Sequence, residues 1–206
     1  MLCRPLSNIE ISPVLAESSV GPKLLLRYAV KKDMPAIVGF YKEEVPPERN
    51  GHAMLNGFQE MFSSFARSSK SQAFMVWVEG LPLFEAEIHD ARLHFPYEEA
   101  YMPEEKDYFL VLKAGAFDQG HFPEYVRGLQ LCLNYFLGFP EVQEIIALVN
   151  GAPRMQEQAS LFSLAGMEKM FRITGPEQAD LYHIARTVLT HSSAAYTDSA
   201  SKSGIS

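Results

Sequence analysis

The chain has 206 residues, enough for one domain with a real core or two very small ones. Its residues are 47% apolar and 21% charged, an ordinary globular balance, and its formal charge of -7 with no Lys/Arg cluster excludes a nucleic-acid partner. Cys3 and Cys132 show no metal-ligand spacing, so neither a metal nor a disulfide framework is expected, and a reducing cytoplasm fits. The opening "MLCRPLSNIEISPV" lacks the apolar core of a signal peptide, and no apolar run approaches the roughly 20 residues of a membrane span, so no membrane partner is expected.

"KLLLRYAV" (23–30) reads as a strand. Asp33 then caps a helix, with Pro35 in its first turn and Ile37, Val38, Phe40 and Tyr41 as its apolar stripe. "VPPERNG" breaks that helix, and Met54, Leu55, Phe58, Met61, Phe62 and Phe65 recur at the steps of a second one. "AFMVWV" is a buried type of strand, "EGLP" a turn, and "LFEAEIHDA" an alternating, half-buried strand. "YFLVLK" (108–113) is a further strand. The loop "AGAFDQGH" leads into a helix with Pro123 in its first turn and Tyr125, Leu129, Cys132, Leu133 and Phe136 on its buried side. "EIIALV" is a strand ending at Asn150. Met155, Ala159, Phe162 and Leu164 fit a helix that Gly166 terminates. "KMFRI" and "ADLYHIARTVL" are the last strands, around the turn "TGPEQ".

Short turns in the first half suggest antiparallel pairing, and helical connections in the second half require right-handed parallel crossovers. The expected fold class is therefore α/β (mixed α+β), a central mixed, twisted sheet flanked by helices. The organisation reads as an N-terminal extension (1–22), a single domain (23–190) and a Ser-rich tail (191–206) expected to be disordered.

This order resembles the GNAT superfamily of CoA-dependent N-acetyltransferases. "LLLRYAVKKDMPAIVGFYKE" is similar to the opening of that fold, a strand bearing an Arg (Arg27) and then an Asp before a helix. "VNGAPRMQEQASLFSLAGMEKMFRI" is similar to its closing unit. A narrower resemblance, carried by "GLPLFEAEIHD", "KDYFLVLKAG" and "LNYFLGFPEVQEIIALVN", is to the siderophore-biosynthesis branch, which acylates the side-chain nitrogen of lysine or hydroxylysine. Glu87 and Asp107 match acidic positions of that branch, and His183 in "YHIARTVL" matches a late motif in part. The chain departs from the superfamily in lacking Gln/Arg-x-x-Gly-x-Gly/Ala after the fourth strand. It departs from the branch in having Val111 where a His is usual and Asn150 near a usual acidic position.

The resemblance implies acetyl-CoA or another acyl-CoA as cosubstrate, with no metal, and a small-molecule primary amine as acceptor. A homodimer is left open. Backbone N–H groups of Val111, Leu112 and Lys113 would meet the pantetheine arm and thioester if this strand splays from "EIIALV". The loop with Gly115, Gly120 and His121 opens onto a helix N-terminus, an anion site without Lys or Arg, or else an ordinary strand-to-helix connection. Asn150 joins this cosubstrate set as a polar contact.

Glu85, Glu87 and His89 share one strand face, successive members roughly 7 Å apart. A carboxylate beside an imidazole holds one tautomer, the arrangement of a general base working near neutrality. His89 is thus the candidate catalytic base with Glu87 orienting it; the bland reading is a solvated polar face. His94, His121 and His183 read as surface or packing residues, and Tyr182 as a core tyrosine or an acid toward the leaving thiolate. Glu43, Glu44 and Glu48 would make "VPPERNGHAM" an acidic substrate loop. An N-acyltransferase, an acyl-CoA binder without turnover and an interaction domain all remain open.

Overall fold

A computed structural model describes residues 13–18, 20–44, 70–115, 117, 119–150, 155–174 and 178–186. The period-two runs become strands and the runs with three- and four-residue steps become helices. In chain order these are β1 (Val14–Glu17), β2 (Leu24–Tyr28), α1 (Met34–Glu44), β3 (Ser71–Val78), β4 (Leu81–Asp90), α2 (Ala91–His94), β5 (Asp107–Lys113), α3 (Phe122–Leu137), β6 (Glu144–Asn150), α4 (Met155–Leu164), β7 (Glu168–Ile173) and β8 (Ala179–Ala185). The strands form one mixed sheet in the order β1-β2-β3-β4-β5-β6-β8-β7. All neighbours pair antiparallel except β5 and β6, which are parallel and joined through α3. The mixed α/β sheet flanked by helices is the fold class the sequence leads one to expect.

Local chemistry explains the junctions. Glu79 and Gly80, both at positive φ (48° and 88°), form the two-residue turn whose twist suits the β3–β4 hairpin. Asp33 does not cap α1 directly. It closes a 3-10 turn before α1, where its carboxylate accepts from the Val30 N–H at 2.9 Å and from Arg27 Nη1 and Nη2 at 2.8 and 2.6 Å. Arg27 also lies over the Trp77 ring, 4.8 Å from its centroid, so the Arg–Asp pair ties the end of β2 to the start of α1. Gly166, at φ 100°, ends α4 with Met167 N–H bonded to the Phe162 carbonyl and Gly166 N–H to that of Ser163, the Schellman pattern.

The helices divide the sheet into two faces. On one, α3 and α4 cover Leu24, Leu26, Phe74, Val76, Phe84, Ala86, Ile88, Leu110 and Leu112. Here α3 comes so close that a Cβ on Gly128 would meet Phe84 at 2.9 Å and Val76 at 3.0 Å. On the other face, Ile37 of α1 packs on Ala73 and Met75, and Ala91 and Phe95 pack on Phe109 and Ile146.

Three details depart from the sequence reading. Leu164 is exposed, because the buried stripe of α4 runs through Leu161 and Phe162. Val14–Glu17, within the expected N-terminal extension, is an edge strand paired with β2. The single turn α2 was not anticipated; Asp90 caps it by accepting from the Arg92 N–H at 3.2 Å. The helix expected around Met54 to Phe65, the "VPPERNGHAM" loop with Glu48, the side chains of Glu43 and Glu44, and the tail after His191 lie outside the described residues.

Candidate active site

Strands β5 and β6 pair from Asp107↔Glu144 to Leu110↔Ala147. Both then continue for three residues beyond the last pair, as Val111, Leu112 and Lys113 and as Leu148, Val149 and Asn150. Parallel strands that part in this way turn backbone N–H and C=O groups toward the gap between them. The chain leaves β5 through Ala114 and Gly115, the latter at φ 63°, and enters α3 through the turn Gln119–His121. His121 stands at the N-cap of α3 with an exposed side chain that makes no cap hydrogen bond, and Gly120 is exposed beside it. Pro123 removes one first-turn donor, and Glu124 places a carboxylate in that turn, which weakens its pull on an anion.

The register then sets the chemistry. Glu85 lies opposite Lys113, Glu87 opposite Val111 and His89 opposite Phe109 across β4–β5. On the other side, Ser71 lies opposite His89 and Ala73 opposite Glu87. Side chains of one parity share a face, so Glu85, Glu87, His89, Lys113 and Ser71 meet under α1. His89 Nε2 is 3.1 Å from Glu87 Oε2, and His89 Nδ1 is 2.9 Å from Ser71 Oγ. Ser71 Oγ is in turn 3.1 Å from Nε2 of His94, whose ring stands 4.8 Å from that of His89. The Lys113 ammonium donates to Glu87 Oε1, lies 3.8 Å from Glu85 Oε2 and sits over the Tyr41 ring, 4.2 Å from its centroid.

Apart from His94 and the half-buried Tyr41, every member of this network is buried. Burial pushes the Glu87 carboxyl up, but the His89 hydrogen bond and Lys113 outweigh it and hold the carboxyl below its ordinary range. Burial likewise lowers Lys113, and Glu87 and Glu85 more than reverse it, so the ammonium persists. Burial pushes the Tyr41 hydroxyl up to about 12. Burial, followed by the neighbouring His89, lowers His94. The resulting network has an ionised carboxylate on β4 opposite Val111, one strand from the β5–β6 gap, and an exposed imidazole at its far end.

The expected grouping of Glu85, Glu87 and His89 on one face is therefore found, and Glu87 and His89 touch. Val111, Leu112 and Lys113 form the end of β5 that runs on past its pairing with β6 while still paired with β4, and the Lys113 side chain adds a role that the sequence reading did not give it. Asn150 is exposed at the end of β6, opposite Ala179. Tyr182 is core, 5.7 Å from Phe162 between ring centroids and on the face away from the network. Asp107 and His183 belong to a second cluster at the other end of β5. There the Tyr101 hydroxyl meets Asp107 at 3.1 Å and Glu144 at 3.4 Å, and His183 Nδ1 contacts Glu144. Ser71 and the side-chain role of Lys113 were missed because only strand register brings them to His89 and Glu87, and Tyr41 because only the docking of α1 on the sheet brings it to Lys113. The one available signal was a lysine of matching parity inside the apolar run "YFLVLK".

No described helix is long and apolar enough to cross a membrane. No protein-family model and no curated protein sequence matches the chain. Solved structures do match. Aminoglycoside acetyltransferase AAC(6')-Ib in complex with coenzyme A and kanamycin aligns with a TM-score of 0.66 at 16% identity, over 82% of this chain and 98% of that one. An uncharacterized protein from Bacillus halodurans aligns at 0.65 with 15% identity, over 87% and 95%. A chimera of spermidine N-acetyltransferase SpeG from Vibrio cholerae aligns at 0.59 with 11% identity, over 81% and 98%. In sheet order, in the parting of its parallel pair and in these likenesses, the chain has the GNAT acyltransferase fold.

Proposed function

We propose that the protein is an acyl-CoA-dependent N-acyltransferase that transfers an acetyl or other acyl group to a primary amine of a small molecule. The observation that carries this reading is the position of Glu87, directly across β4–β5 from Val111, the residue at which β5 leaves β6. A thioester seated in the gap would have its carbonyl oxygen polarised, where negative charge develops during attack, by whichever backbone N–H along Val111 to Lys113 faces the gap, alternate ones being directed at β4. The acceptor nitrogen would bond to the carbonyl carbon, the C–S bond would break, and the CoA thiolate would leave. The proton lost by the amine falls to the Glu87–His89 pair. The loop with Gly115, Gly120 and His121 would hold the pyrophosphate through backbone donors, with Asn150 as a polar contact on the facing strand.

The finer reading takes the acceptor to be a side-chain amine of the lysine or hydroxylysine kind. Glu87 supports it by its place in the network; Asp107 does not, since its carboxylate is engaged by Tyr101 and by the Glu104 N–H at 2.8 Å. A second reading, acyl-CoA binding without turnover, draws on the engagement of both His89 ring nitrogens, by Glu87 and by Ser71. Calorimetry with acetyl-CoA, followed by thiol release across a panel of amines that includes lysine and hydroxylysine, tests both. Binding with thiol release supports transfer, binding without release on any amine supports the second reading, and no binding removes both.

A further inference from the structure

A general base that is cut off from water works once unless its proton has a way out. Glu87 and His89 are 4% and 7% exposed, so the question applies to them. Among the described residues, a chain of contacts leads from them to the surface: Glu87 Oε2 to His89 Nε2 at 3.1 Å, His89 Nδ1 to Ser71 Oγ at 2.9 Å, and Ser71 Oγ to His94 Nε2 at 3.1 Å. His94 is exposed.

We propose that the buried Glu87–His89 pair exchanges its proton with solvent through the Ser71 hydroxyl and the His94 imidazole. The inference rests on the acyltransferase reading and adds two positioning residues to it.

Proton bookkeeping fixes the direction of each bond. An ionised Glu87 can only accept, so His89 carries its hydrogen on Nε2. Nδ1 of neutral His89 then accepts from the Ser71 hydroxyl, and Ser71 Oγ accepts from the His94 Nε2–H. In the proton-loaded state His89 is an imidazolium with hydrogens on both nitrogens. Its Nδ1–H now donates to Ser71 Oγ, and the Ser71 hydroxyl has turned to donate to His94 Nε2. Discharge breaks the His89 Nδ1–H and Ser71 O–H bonds and forms a new Ser71 O–H and a His94 Nε2–H. The His94 imidazolium then loses its Nδ1 proton to water. Besides the hydroxyl rotation, the exposed His94 ring must first pass its hydrogen from Nε2 to Nδ1 through water, so that Nε2 can accept; no co-reactant other than water is needed.

The groups around His94 suit a transient carrier. Burial and His89 disfavour its charged form, while Asp90 and Glu87 favour it less strongly, so the ring is neutral at rest and sheds a proton readily. Asp90 is itself tied to Lys70 at 3.0 Å and to Arg92 at 3.3 Å, which limits its hold on an imidazolium.

The test compares the first turnover with the steady state. With acetyl-CoA and an accepted amine, Ser71→Ala should keep the single-turnover rate within about twofold and lower kcat at least tenfold, with KM nearly unchanged. Ser71→Thr should restore kcat. His94→Ala, at an exposed position where folding is not at stake, should show the same split, and added imidazole should rescue it in proportion to its concentration. Equal loss in both phases, unchanged kcat in both variants, or no imidazole rescue would overturn the relay while leaving the acyltransferase reading standing. A wild-type protein that releases no thiol with any amine would overturn both.

Discussion

Lys113→Met removes the ammonium from beside two buried carboxylates. The side chains of Lys113, Glu87 and Glu85 are 6%, 5% and 1% exposed, so two carboxylates would lose their shared cation without gaining water. Removing one partner of a buried ion pair typically destabilises by about 3–5 kcal/mol. In a chain of this size each kcal/mol shifts Tm by about 2–4 °C, so the expected loss is about 6–20 °C at pH 7. Its pH dependence follows from the two shifts. Glu87 is depressed below its ordinary 4.5, so its contribution is present above that value and is lost as pH falls through the folded-state value. Lys113 is raised above its ordinary 10.5, so its contribution is present below that value and is lost as pH rises through the folded-state value. The gap between wild type and variant should therefore be full from about pH 5 to pH 10 and narrow on either side. Differential scanning calorimetry across that range is the assay. A variant melting within 2 °C of wild type at pH 7, on the order of 1 kcal/mol or less, would show that Lys113 does not neutralise Glu87.

Acetyl-CoA at a hundredfold excess over its Kd should stabilise the protein by about 2.7 kcal/mol, and Gly120→Pro should sharply reduce that shift by removing a donor beside α3; equal shifts in both proteins would take the pyrophosphate away from this loop. His89→Ala should lower amine-dependent turnover by roughly 10²- to 10⁴-fold while leaving acetyl-CoA affinity within about threefold, read by thiol release and calorimetry. Full activity in that variant would remove His89 from the chemistry.

The fold was legible because its signals are local. Pro123, the stripe from Tyr125 to Phe136 and the Gly166 terminus each announce a helix within a few residues. The pairing of Glu87 with His89 was legible for the same reason, being two residues apart on one strand. The rest of the network was not. Ser71 and Lys113 reach Glu87 and His89 only through the registers Ser71↔His89 and Glu85↔Lys113, and register is set by the whole sheet. Asp33 misled slightly, because a carboxylate before a helix usually caps it, whereas here Arg27 draws it into the preceding turn. The insertion of β8 between β6 and β7 is likewise a tertiary choice with no local mark.

The buried charges raise a last question, whether they serve folding or chemistry. A buried ion pair is poor evidence for a stabilising device, since well-packed neutral residues of similar volume often do as well or better. Single and combined replacements separate the two purposes. The triple variant Glu85→Leu, Glu87→Gln, Lys113→Met removes the three buried charges that meet here among the described residues, and the amide oxygen that takes the place of the Glu87 carboxylate still accepts from the His89 Nε2–H. Its stability should equal that of wild type or exceed it by up to about 4 kcal/mol, although Lys113→Met alone is costly. Such non-additivity is expected of residues in direct contact. Amine-dependent thiol release should nevertheless be lost, because the group that anchors the base is no longer ionised. A triple variant as unstable as Lys113→Met would assign the charges to folding. One that is stable and fully active would leave the Glu87 carboxylate without a part in transfer, and with it the reason for placing the acceptor amine beside Val111.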